Sequence, residues 1–361
     1  VAADVLESLG IDEGVEGDLS ELYAIDLVGR VADDLSGGAD LDVRVIECVD
    51  LDAGVEAWPV LIRTSGSVRT DLPSPRAFNH MVAAVRAESG WTFLDLTAPT
   101  AAYGAIVPNL QGQTGLLVRD DGSSELVELP VDPAESNRSS IIIAGELQED
   151  GTLVAEYEEV VTGTIQYRVR GEFDQRLNER ALTSLRQNLA NRVGRGGVAD
   201  SVEYFNGLDL DAPARLWARV TVEDRVEEIP GGRLFAVGLS TYGSPALIER
   251  LEEEDERQFP IDGAAVFGLR EHHSEYRITL PEGWTAELPE NVVVEGPFGS
   301  YRSIYQQNGR ELLVTRTIRG TDVTLAPDRA GELLEWFRPL AADRVQNIVL
   351  TVPGEAQPAR R

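Results

Sequence analysis

"PSPRAFNHMVAAVRAESGWTFLDLT", residues 73–97, holds one of the chain's three histidines, His80, and an aspartate, Asp95, fifteen residues later. Two apolar runs flank Glu88, Ser89 and Gly90, the pattern of two strands joined by a tight turn. The turn decides which way the polar residues face. A two-residue turn on Glu88 and Ser89 pairs residues whose numbers sum to 177, which sets Asp95 opposite Val82 and His80 opposite Thr97. Side chains alternate along a strand, so His80 shares a face with Val82 and hence with Asp95. The two are then diagonal neighbours, with Cα atoms roughly 7–8 Å apart, a gap that polar side chains bridge. A three-residue turn that included Gly90 would put them on opposite faces. A carboxylate beside an imidazole fixes its tautomer and stabilises the imidazolium, the base and orienter of a nucleophilic triad. The bland alternative is a surface histidine with an acid nearby.

Working outward, the first third mixes helix and strand. Residues 19–35 carry a helical stripe of Leu19, Leu22, Leu27, Val28, Val31 and Leu35, which "SGG" at 36–38 interrupts. "ADLDVRVIECVDLDAG", 39–54, fits a second helix with Asp40 and Asp42 at its start and Gly54 as its stop, although its β-branched residues leave a strand reading open. "VEAWPVLIRT", 55–64, reads as a buried strand. From about residue 119 the pattern is mostly strand: "SSELVELPV", "SSIIIAGELQ", "TLVAEYEEVV", "GTIQYRVRGEF" and "ARLWARVTVEDRV". One helix is expected within 174–193, with Leu182, Leu185 and Leu189 on one face and "GRGG" at 194–197 as its stop, not a phosphate cradle. "SPALIERLEEEDERQF", 244–259, fits a short helix with a solvated acidic face. "SEYRITLPEGW", "NVVVEGPFGSYRSIYQQ" and "ELLVTRTIRG" are strands, "DRAGELLEWFRPLAADR" a helix, and "NIVLTV" a last strand.

A chain of 361 residues has room for two or three cores. Its formal charge is −30, and all 32 basic residues are Arg. Such a surface repels phosphate backbones and anionic lipid, so neither nucleic acid nor membrane is an expected partner. No apolar run approaches the roughly 18 residues that a spanning helix needs. The chain opens on Val, so targeting is not read from it. One Cys, Cys48, excludes an internal disulfide and any zinc site built on thiolates. His272 and His273 suggest a metal site with Glu271 and Glu275, but adjacent strand residues face opposite ways, so no metal and no cofactor are expected. "LDLDAP", 208–213, alternates acids without the spacing of a calcium loop.

"DLPSPRAFNHMVAAV", "WTFLDLT" and "PNLQGQTGLLV" resemble a bacterial branch of the transglutaminase-like superfamily, which has a papain-like core. "GVEAWPVLIRT", 54–64, resembles that branch's "GIEAYPVLV"-type strand, and "EYRITLPEGWTAELPENVVVEGPFGSY", 275–301, resembles its β-rich C-terminal domain. The resemblance covers most of 36–118 and 270–350. It implies an α+β fold, a transglutaminase-like domain over 1–118 followed by two β-rich, sandwich-like domains over 119–265 and 266–361. It also implies His80 as base, Asp95 as orienter, and an extracytoplasmic location, periplasmic or cell-surface.

In the family pattern the nucleophilic Cys opens a helix about fifteen residues before the Gly of "GIEA". Counting back from Gly54 reaches Ala39, with Gly37 and Gly38 where "GD" stands. A second register sets Leu19, in "GDLSEL", at that place and needs an insertion of about twenty residues; neither offers a thiol. Nine helical residues separate Ala39 from Cys48, about 14 Å along the axis and on the opposite face, so Cys48 reads as a core residue. Ser36 is a substitute nucleophile only if the imidazole can activate a hydroxyl, which demands a much stronger base. The expectation is therefore an inactive member that binds or scaffolds a protein or peptide. The rival is an active amide hydrolase or acyltransferase on peptide or glutamine amides, and a third reading is a structural β-rich surface protein.

Overall fold

The computed structural model describes residues 57–354 apart from 65–77, 88–89, 99, 120, 122, 133–135, 164, 173–178, 208, 238–247, 250–251, 253–259, 263–270 and 322. The readings of 19–54 and most of 244–259, with Ser36, Ala39 and Cys48, lie outside the described residues. The described chain is rich in strand and builds several sheets. Its contacts divide it into two compact units, 1–133 and 134–361.

The first unit contains a five-stranded antiparallel sheet of order β3-β2-β1-β4-β5. Its strands are β1 (Ala57–Ile62), β2 (His80–Ala87), β3 (Gly90–Leu94), β4 (Thr114–Val118) and β5 (Ser124–Glu128). Val60, Ile62, Met81, Val82, Ala83, Ala84 and Val85 are buried, so both faces of the central strands are covered, as unbroken apolar runs demand. Pro59 has no N–H to give, and β4 pairs with β1 only at Val60 and Leu61, beyond it. Gly115 on β4 lets two branched side chains in: a Cβ there would stand 2.5 Å from Val60 and 2.8 Å from Ile62. Ile62 is the cross-strand partner of His80, so this close approach sets the floor beside the histidine.

The second unit is built on an eight-stranded sheet of order β15-β16-β17-β13-β6-β7-β9-β8. In chain order these are β6 (Arg138–Leu147), β7 (Leu153–Thr162), β8 (Val198–Phe205), β9 (Ala214–Val222), β13 (Glu271–Thr279), β15 (Val292–Gly296), β16 (Gly299–Asn308) and β17 (Glu311–Gly320). A smaller sheet joins β10 (Val226–Ile229), β11 (Gly232–Ala236), β19 (Asn347–Thr351) and β14 (Thr285–Glu287), and β12 (Ile261–Asp262) pairs with β18 (Thr324–Leu325). Strict alternation of buried and exposed residues on β7 and β9 marks a sheet with one dry face. β13 runs parallel to β6 in one continuous ladder. The expected boundary at 265/266 therefore falls between strands of a single sheet, and the one at 118/119 falls between β4 and β5, which pair as a hairpin.

Two helices end where the sequence stops them. α2 (Glu179–Val193) closes into Gly194, whose N–H donates to the Ala190 carbonyl, and Gly196 follows with φ of 80°. α3 (Ala330–Arg344) buries Leu333, Trp336, Phe337 and Leu340. One reading is corrected. "GTIQYRVRGEF" alternates like a strand, yet Gln166–Glu172 is a helix, α1. Arg170 is the reason. Its buried guanidinium donates to the carbonyls of Asn206, Gly207, Asp209 and Ala212, and Gln166 accepts from both Arg170 and the Ala214 N–H. The acids of "LDLDAP" thus belong to a turn that faces an arginine, with Asp209 accepting from the Ala212 N–H.

A buried polar knot ties α3 to the sheet. Asp343 accepts from Tyr301 at 2.6 Å and Tyr305 at 2.7 Å on β16, and pairs with Arg316 of β17 at 2.9 Å. Arg316 also donates to Tyr305, to Ser303 and to the carbonyls of Val237 and Asp343. Arg316 and Asp343 side chains are 2% and 0% exposed, so removing one strands the other's charge in a dry interior. We expect Asp343→Ala to cost about 3–5 kcal/mol, whereas replacing Arg316 and Asp343 together by Met and Leu should cost much less. Urea unfolding of the three proteins checks this; equal losses in the single and double variants would contradict it.

Candidate functional site

The candidate site grows from the β2–β3 hairpin. Its ladder pairs Ala83 with Leu94, Ala84 with Phe93, and Ala87 with Gly90, the register of a two-residue connection. Asp95 follows β3 directly, and its Oδ1 lies 3.3 Å from His80 Nε2, at the long end of hydrogen-bond range. The His80 side chain is 19% exposed and that of Asp95 3%. A carboxylate at this distance from an imidazole nitrogen can orient the ring, as the orienter of a general base does.

Asp95 does not continue the strand as the register alone suggests. The Ala98 N–H donates to the Asp95 carbonyl, so a turn begins at the aspartate, and Thr97 does not come to lie opposite His80. The turn instead puts two more donors on Asp95 Oδ1: Thr97 Oγ1 at 2.7 Å and Thr97 N–H at 3.1 Å. Burial works to raise the Asp95 pKa, but the hydrogen bonds from His80 and Thr97 and the charge of His80 outweigh it and hold the carboxyl below its ordinary value of 3.8. Thr97 was not among the sequence's candidates. The signal for it is an aspartate followed two residues later by threonine, the signature of a side-chain-capped turn.

Asn79, the residue before His80, locks the start of β2 to the end of β1. Its Oδ1 accepts from the Thr64 N–H at 2.8 Å and its Nδ2 donates to Thr64 Oγ1 at 3.0 Å. Downstream, Gln111 of "PNLQGQTGLLV" donates to the Ile106 carbonyl and accepts from the Asp132 N–H, clamping the chain that leads into β4.

The other candidates separate. His272 and His273 lie on opposite faces of β13. His273 contacts Thr317 Oγ1 at 3.0 Å, Glu271 holds Arg319, and Glu275 holds Arg277. His272 is buried on the inner face near the Tyr157–Glu159–Arg192 cluster that fixes α2 to β7. Among the described residues, no three of His, Cys, Asp and Glu gather as metal ligands. No described helix is long and apolar enough to cross a membrane.

Two pH dependences follow. Asp95 has its pKa lowered on folding, so its contribution is complete above about 3.8 and is lost as pH falls through the lower folded value. The melting-temperature gap between the parent and Asp95→Asn should be open just above about 3.8 and close as pH falls below it. Burial lowers His272 from 6.5 to about 4, so between those values the unfolded chain binds the extra proton. Stability should fall as pH drops across that window, and His272→Leu should flatten the slope; an unchanged slope would contradict the assignment.

Comparison with known proteins reaches the second unit. Residues 242–350 match a family described as "Domain of Unknown Function with solved-structure structure (DUF3858)", a span that contains the Arg316–Asp343 knot and excludes His80 and Asp95. No curated protein matches the sequence. Among solved structures, the chain is similar to the crystal structure of a "putative protease" from Parabacteroides distasonis, with 12% identity, a TM-score of 0.41 and 97% of this chain covered. This chain spans 58% of the length of that one.

Proposed function

We propose that the first unit is a transglutaminase-like domain with a papain-like core that has lost its nucleophile and works as a binding or scaffolding module for a protein or peptide. The observation that carries the reading is the His80–Asp95 pair, held at 3.3 Å on one hairpin within a sequence whose only thiol is Cys48. The pair supports a triad's base and orienter. The family pattern sets Ala39 where the thiol belongs, and a methyl side chain can neither attack an amide nor accept an acyl group. The rival reading, an active amide hydrolase or acyltransferase, draws on the same pair, since an imidazole positioned by an ionised carboxylate is competent for proton transfer. It lacks an assigned nucleophile.

The test rebuilds the missing group. In a Cys48→Ala background, Ala39→Cys should give a thiol that iodoacetamide labels quickly at about pH 6, because a neighbouring imidazolium lowers a thiol's pKa to roughly 3.5–7.5. His80→Ala should abolish that gain. Labelling rate against pH for the three proteins decides it: a thiol titrating near 8.5 regardless of His80 would sink the Ala39 register. If the unaltered chain hydrolyses peptide amides and loses that activity with His80, the inactive reading is wrong and the rival stands.

A further inference from the structure

The five-stranded sheet has one edge at the His80 hairpin and the other at β5. Among the described residues, β5 pairs with β4 alone, and four of its five residues are exposed. Its hydrogen-bonding phase is fixed at both ends: Arg119 N–H donates to the Ser123 carbonyl, and Leu129 N–H donates to the Gln113 carbonyl. Alternation in an antiparallel ladder then turns Glu125 and Val127 toward β4 and leaves the N–H and C=O groups of Ser124, Leu126 and Glu128 pointing away from the sheet. An outward row of this kind is a template for another strand.

Edges are commonly blunted by lysine, proline, a bulge or a covering loop. β5 has no proline, its charged residues are the acids Glu125 and Glu128, and its register with β4 runs without a shift. It displays apolar surface instead: Leu126 is 54% exposed and Val131, just beyond the strand, 57%. The charges that flank these side chains are acidic, namely Glu125, Glu128 and Asp132, with Arg119 bonded to Glu125 at 2.6 Å. A second copy of this chain would bring its own −30 charge to the edge, which disfavours self-pairing. A cationic segment would meet complementary charge at Glu128 and Asp132, and at Glu125 beside its Arg119 partner.

We infer that the β5 edge is a docking site for an extended cationic peptide segment, which adds a sixth strand through backbone bonds to Ser124, Leu126 and Glu128. An apolar side chain sits opposite Leu126, and Arg or Lys sits opposite Glu125 and Glu128. The edge lies at the far side of the sheet from His80, and the inference does not depend on whether the His80–Asp95 pair supports a reaction. It supplies a partner chemistry for the binding reading through an independent surface.

The probe is a fluorescent peptide containing Arg-Val-Leu-Arg-Thr, the antiparallel complement of Glu128 to Ser124, titrated with the full chain and followed by anisotropy. Affinity should fall at least about tenfold between roughly 0.05 and 0.5 M salt, because exposed charges are screened over that range. N-methylation of the peptide's alternate backbone amides should abolish binding while leaving its charge intact. Glu125→Arg with Glu128→Arg should also abolish it. Leu126→Pro should do the same with little loss of melting temperature, since the amide it removes points outward. Equal binding of the N-methylated peptide would overturn strand addition. Equal binding by the Glu125→Arg, Glu128→Arg protein would overturn the charge assignment. Sedimentation showing a dimer that Leu126→Pro dissociates would overturn the cationic occupant in favour of a second copy. Retained binding in Ala39→Cys and His80→Ala proteins is expected, so failure here and failure of the inactive-enzyme reading are separate results.

Discussion

Side chains on a strand alternate, so one register choice fixes every face that follows it. In the β2–β3 hairpin that choice is the pairing of Ala87 with Gly90. Shifting it by one residue would send Asp95 away from His80 and turn Phe93, a buried ring, toward the opposite side. The burial of Phe93, between half-buried Thr92 and Leu94, therefore favours the register that brings the polar pair together. The site is a consequence of core packing, and its geometry is as rigid as the hydrophobic pattern beneath it.

The same constraint arranges the second unit. Ladder partners place Ser303, Arg316 and Ser274 in one row across β16, β17 and β13, all facing inward. Inward charge in a dry core is tolerated only where it is paired and fully bonded. Asp343 from α3 supplies the charge that Arg316 needs, and Tyr301 and Tyr305 fill the remaining acceptor positions. On the other side of the sheet centre, Arg192 of α2 does the same for Glu159 of β7 at 2.6 Å. The helices are thus fixed by specific polar contacts as well as by apolar stripes, which sets both their axial position and their rotation on the sheet.

Strong periodic signals were legible. Continuous apolar runs mark β1 and β6, alternating ones mark β7, β9, β13, β16 and β17, and glycine places the end of α2. The hairpin register was legible too, because a turn length and a period of two suffice to compute it. What escaped shared one physical cause: long-range polar contacts override local pattern. Ile165, Tyr167 and Val169 alternate like a strand, but Arg170 needs the four carbonyls of the 206–212 segment, and only a helix brings it there with Gln166 at its side. The sheet shared by β6 and β13 was invisible for a similar reason. A parallel pairing between strands more than a hundred residues apart leaves no trace in local composition, which marks the change of character near 265 and not the ladder that runs across it.

The two halves of the polar pair do different work. Asp95 is a buried carboxylate, and a carboxylate with too few donors would be costly there. Two of its three donors come from Thr97, at 2.7 and 3.1 Å, both shorter than the contact with His80. The turn that opens at Asp95 and closes at Ala98 is therefore self-sufficient, and it redirects the chain from β3 toward the segment that leads to β4. The turn uses a side-chain oxygen acceptor at this position whether or not any amide is cleaved. His80 stands at the first position of β2, where Asn79 already fixes the strand start through Thr64. Its imidazole adds the longest of the contacts to Asp95, one the turn can do without. The persistence of the His80–Asp95 geometry thus needs no catalysis to explain it, and the chemistry of the domain rests on which side chain faces the other nitrogen of the imidazole.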